Sequence, residues 1–358
     1  MDNKKYYSQT CSKIGLALLI FYGFFTISAF GVALFDAVLK NLFTLNFTSE
    51  VIYEVLSAIA YFISFSGAAF ILRRMCRSFP TATPIYTSFK LQKWIFAAIV
   101  SAIAINFSLS YLNTKIFTLV SPVFEQTMAS SSSNLEGRPM SEVAILFVLA
   151  IFSTAIVPAI CEEYLFRGAI LGLLLPFGRT TAIIGSSILF GFMHQNPLQL
   201  FYTVFMGVIL GYIYVKTKSI WACMLLHFFN NLLTVLEEFL PVFTNNLITG
   251  LEDFLPVFTG EEWIVMLVDF LVLTVGAICL VALIFKKDKQ PQPDTDGSFG
   301  RLYEVGVDVE EFKLDMTVKE KIKKFFAPTI IVYLVICALS ILGTLVLFMG
   351  FELPFDII

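Results

Sequence analysis

Charge is scarce in this sequence. Asp, Glu, Lys and Arg together supply 14% of its 358 residues, against about 25% in soluble globular proteins. The net charge is −3, so no basic field draws the chain to DNA or RNA, and nucleic-acid partners are excluded. Histidine is almost absent, with two copies. The six cysteines (Cys11, Cys76, Cys161, Cys223, Cys279 and Cys337) include no C-x-x-C pair, and most lie in apolar runs. That pattern implies neither a disulfide framework nor a thiolate metal site. No cleavable signal peptide is expected from the N-terminal pattern. Lys4, Lys5 and Lys13 precede an apolar run from Ile14 to Phe35 with no small-residue cleavage pattern, which reads as a retained first membrane helix.

What the chain has is apolar surface. Hydrophobic residues make up 58%, with 39 Phe, 13 Tyr and 3 Trp, more than a soluble fold could cover. The expected fold is an all-α, polytopic transmembrane helical bundle of eight to nine helices, with the lipid bilayer as its surroundings. Apolar stretches fall near 14–37, 51–72, 93–113, 142–175, 180–195, 198–215, 219–236, 262–285 and 328–350. The fourth is too long for one simple span. Pro176-Phe177-Gly178, Asn196-Pro197 and Lys216-Thr217-Lys218 mark breaks between helices. Three units are expected: a membrane-embedded core over 1–285, a cytoplasmic linker and basic stretch over 286–327, and a C-terminal membrane helix over 328–358.

Basic residues set the orientation. With the N-terminus inside, twenty of the 24 Lys and Arg fall on the inner side. Lys40, Lys115 and Arg138 fall outside, and Arg167 lies within an apolar run. The chain is thus expected in the cell membrane with a cytoplasmic N-terminus. Residues 114–141, with four consecutive serines, and 237–261, which lack Lys and Arg, read as outside loops. The second loop holds a short duplication, Glu238–Thr244 and Asp253–Thr259. After the polar linker 286–300, the charged stretch 301–326 reads either as a helix on the inner membrane surface or as a solvated one.

Polar groups inside a membrane are expensive and so mark function. They concentrate in the block 142–236, in three clusters: Glu162-Glu163 with Arg167, Phe190 with His194, and His227 with Asn230 and Asn231. Residues four apart share a helix face, and successive residues stand about 100° apart. Glu163 and Arg167 can therefore pair, while Glu162 points elsewhere without a cation on its own helix, as suits a proton acceptor. His227 and Asn231 share a face. Glu162 and His194 each lie sixteen residues from Gly178, so an antiparallel hairpin sets them at one height. Both histidines and the one Glu-Glu-x-x-x-Arg would then meet in one pocket. The same groups also suit a proton relay in a transporter or channel, although no inverted repeat is visible.

Glu-Glu-x-x-x-Arg, Phe-x-x-x-His and His-x-x-x-Asn, intact and in that order, resemble the CAAX-processing and bacteriocin-processing (CPBP, or Abi) membrane endopeptidases. The resemblance implies a peptidase that cleaves a membrane-associated protein or peptide. It implies that Glu162 activates water, that Glu163 and Arg167 support it, and that His194, His227 and Asn231 complete the site. A non-catalytic immunity protein that keeps the fold is the further alternative. Two histidines and a glutamate match a catalytic zinc set, but a metal-free glutamate mechanism uses the same groups, and no His-Glu-x-x-His is present. The region after Lys286 has no counterpart in the resemblance.

Overall fold

A computed structural model describes residues 3–43, 46–79, 85, 100, 135, 137–248 and 316–348. Every regular element among them is a helix. They are α1 (Asn3–Phe43), α2 (Asn46–Cys76), α3 (Met140–Phe177), α4 (Arg179–Met193), α5 (Pro197–Thr217), α6 (Ile220–Ile248), α7 (Val318–Phe325) and α8 (Pro328–Phe348). Helices α1, α2, α3, α5 and α8 are long and apolar enough to cross a bilayer, and α4 and the first part of α6 are shorter apolar helices. This is an all-α, multi-pass membrane protein. The expected spans at 93–113 and 262–285, most of the 114–141 loop, the 286–300 linker and the second copy of the duplication lie outside the described residues.

The long fourth stretch is one continuous helix of 38 residues. It contains two π-helical stretches, Ile151–Ile156 and Tyr164–Leu171, which flank the segment bearing Glu162 and Glu163. Such wider turns are frequent at functional sites. The helix stops where proline and glycine coincide: Pro176 ends it in a short 3₁₀ turn, and Gly178 adopts φ 127°, a conformation that costs glycine little. Helix α5 begins at Pro197, with the Asn196 side chain accepting from the Leu198 N–H at 2.9 Å. It ends at Lys218 in the left-handed conformation.

One expected boundary differs. The outside loop from 237 begins as helix, because α6 runs on to Ile248. Its continuation has a surface to bury: Val235 and Phe239 are buried, and the Phe239 and Phe243 rings lie 5.4 and 5.3 Å from that of Phe147 on α3. Glutamate is also a good helix former. The first copy of the duplication therefore belongs to α6.

Small residues bring the helices together, as membrane packing requires. A Cβ on Gly207 of α5 would stand 2.9 Å from the Ser187 Cβ of α4. At Gly15 it would meet the backbone of Thr329 and Ile330 on α8. Helix α8 is part of the same buried core, through Ile330, Tyr333 and Cys337. Gly207→Ala is expected to force α4 and α5 apart at a cost of about 1–3 kcal/mol, the usual penalty of overpacking. A thermal unfolding midpoint in detergent equal to wild type would contradict this.

The start of α1, the end of α2, the α3–α4 turn and α7 share one end of the bundle. The Tyr7 ring lies 5.0 Å from that of Phe177, and its hydroxyl donates to the Lys321 carbonyl at 3.2 Å. Lys13 donates to the Met75 carbonyl. Basic residues from distant parts of the sequence are thereby gathered at that end.

Candidate active site

Glu163 is wholly buried beside an equally buried Arg167. The guanidinium Nη1 donates to Glu163 Oε1 at 2.9 Å, the i, i+4 pairing expected from the spacing. Nη2 donates to the Gly207 carbonyl at 3.3 Å, and the guanidinium carbon stands 4.4 Å over the Phe190 ring. One buried cation thus joins α3, α4 and α5.

Glu163 also reaches α6. His227 Nδ1 lies 2.9 Å from the same Oε1. A carboxylate only accepts, so Nδ1 carries the hydrogen and donates it. The neutral ring then has its lone pair on Nε2, which lies 3.8 Å from Oε2 of Glu162. His194 is set in the same way: its Nδ1 is 3.0 Å from the Phe190 carbonyl, an acceptor, so its Nε2 is also left with a lone pair. Phe190 packs edge-on against both imidazoles, with centroids 5.0 Å from His194 and 6.0 Å from His227. The α3–α4 hairpin brings His194, and α6 brings His227, round one phenylalanine beside the carboxylates.

Glu162 is buried and accepts a hydrogen bond at Oε1 from the Tyr61 hydroxyl of α2. Its Oε2 has no hydrogen-bond partner. Tyr61 is itself stacked on Phe65, at 4.3 Å between centroids. Tyr202, near the start of α5, is close enough to Glu162 to feel its charge. Neither tyrosine was among the residues singled out from sequence. Both lie outside the motifs among 13 tyrosines, and a contact across 101 positions, as for Tyr61, has no local signal.

Asn231 is anchored to α3 and to its neighbour on α6. Its amide nitrogen donates to the Thr154 carbonyl at 3.0 Å, and its oxygen accepts from Asn230 at 3.2 Å. Pro158 has no N–H to offer the carbonyl four residues before it, which is that of Thr154. The Asn231 amide satisfies that carbonyl and fastens α6 to α3 one turn from His227. One amide hydrogen remains for other use.

Glu162, His194 and His227 are donor types that zinc accepts. Among the described residues, however, no three His, Cys, Asp or Glu side chains are grouped so as to hold one metal ion.

Residues 144–233 match the family model of the type II CAAX prenyl endopeptidase Rce1-like proteins. The chain is also similar to "Putative membrane peptidase YdiL" of Bacillus subtilis (strain 168), with 32% identity over 97 residues. That match covers 26% of this chain and 39% of the relative's length. No solved structure shows significant similarity. The family match spans all three motifs: residues 144–233 are similar to the Rce1-like form of the CAAX-processing (CPBP) family.

Proposed function

We propose that the protein is an intramembrane endopeptidase of the CAAX-processing type, which hydrolyses a peptide bond in a membrane-associated protein or peptide. The observation that carries this reading is the division of labour between the two adjacent glutamates. Oε1 of Glu163 is held by both Arg167 and His227, while Oε1 of Glu162 accepts only from Tyr61; Oε2 of each has no hydrogen-bond partner, but that of Glu162 faces an imidazole nitrogen at 3.8 Å. That separation is too long for a hydrogen bond, and both atoms can contact the same water. Glu162 takes a proton from this water as its oxygen adds to the scissile carbonyl carbon. The tetrahedral oxyanion is stabilised by the remaining Asn231 N–H. Glu162 then returns the proton to the leaving amine as the C–N bond breaks. Glu163 and Arg167 act by holding His227.

The test is cleavage of a peptide library, including CAAX-terminated members, by purified full-length protein beside Glu162→Gln. Products from the wild type alone support the reading, and identical product profiles refute it. Tyr61 offers a second measurement. Hydrogen bonds to charged groups are worth about 1.5–3 kcal/mol, so Tyr61→Phe should lower kcat/KM about ten- to hundredfold with the fold intact. A change below about twofold would show that Tyr61 does not hold the reactive carboxylate.

A further inference from the structure

Helix α7 is opened by a capping box, in which Thr317 and Glu320 satisfy each other's backbone N–H groups. Its one acidic side chain is thereby engaged at the N-terminus. One edge of the helix faces the protein. Lys321 Nζ donates to the Phe177 carbonyl at 3.2 Å, capping the C-terminus of α3. Phe325 is buried against Gly185 of α4, where an added Cβ would meet its ring at 2.6 Å. The next arc is apolar and uncovered: Val318 is 74% exposed, Ile322 53% and Phe326 37%. They recur at four-residue spacing, so they form one stripe. Beyond that stripe stand Lys319 and Lys323, again four apart and exposed.

Apolar residues this exposed on a lysine-rich helix need a surface that is apolar and anionic at once. Its position supplies one. Pro328 starts the apolar spanning helix α8 only three residues after Phe325, so α7 must lie at the level where α8 enters the bilayer. A helix lying in that plane buries its apolar stripe at the headgroup–acyl boundary and lifts its flanking lysines to the phosphates.

We propose that α7 is a membrane-surface helix whose Lys319 and Lys323 bind anionic phospholipid headgroups beside the turn of the hairpin that carries Glu162 and His194. The bound lipid would sit next to Lys321 and Phe325, the two side chains that fix α7 to that turn. This inference is independent of the reaction proposed above.

The experiment uses full-length protein carrying Ile322→Trp, reconstituted in phosphatidylcholine vesicles. Wild-type protein provides the background from its three native tryptophans. One set of vesicles contains a small fraction of brominated phosphatidylglycerol, the other the same fraction of brominated phosphatidylcholine. The added fluorescence should be quenched by both lipids, and more strongly by the anionic one. Replacing Lys319 and Lys323 with Gln should lower that anionic preference about fivefold for each lysine, the effect of one basic residue near an anionic surface. No quenching by either lipid would mean a solvated helix and overturn the proposal. Equal quenching by both, or a preference unchanged by the lysine substitutions, would overturn headgroup binding and leave only an apolar anchor. Should Ile322→Trp fail to give folded protein by size exclusion, Val318→Trp reports on the same stripe.

Discussion

Glu162→Gln should abolish most peptidase activity, by about 10²- to 10⁴-fold in kcat, the usual scale of general acid–base catalysis. The substitution keeps the side chain's size and leaves an oxygen to accept from Tyr61, but it removes the proton acceptor. Stability should change little, since no buried charge is added. The neighbouring carboxylate gives the control. Glu163 is bonded to Arg167 and His227, so Glu163→Gln should lower activity together with folded yield. Matched measurements of kcat and thermal unfolding on the two variants separate the roles. The assignment fails if Glu162→Gln cleaves at the wild-type rate while Glu163→Gln, folded and stable, does not.

The second large effect is on the fold. Arg167→Ala leaves the Glu163 carboxylate buried without its cation, and breaking a buried pair from one side costs about 3–5 kcal/mol. Total stabilities are about 5–15 kcal/mol, so folded yield should fall sharply. The double variant Glu163→Gln with Arg167→Met removes both charges. It should recover much of the lost stability, because neutral replacement of a whole buried pair is often tolerated. It should remain inactive, since His227 then has no carboxylate to fix its tautomer. Thermal unfolding in detergent checks the series. If Arg167→Ala unfolds at the wild-type midpoint, the pair does not hold α3, α4 and α5 together as its contacts indicate.

The helical, membrane-spanning character of the chain, the i, i+4 pairing of Glu163 with Arg167 and the break at Gly178 were legible in the sequence, because each depends on composition or on neighbours within one helix. The meeting of the Glu162 and His194 clusters was also legible, since two arms of equal length from one turn end at one height. The rest was decided by how the helices rotate and pack against one another. Residue spacing put Asn231 on the face of His227, but its amide goes to the Thr154 carbonyl that Pro158 on another helix leaves without a donor. Glu162 had no partner on its own helix, and its partner is Tyr61 of α2. Periodicity states which residues share a face of one helix, whereas only tertiary packing states which face of the next helix meets it.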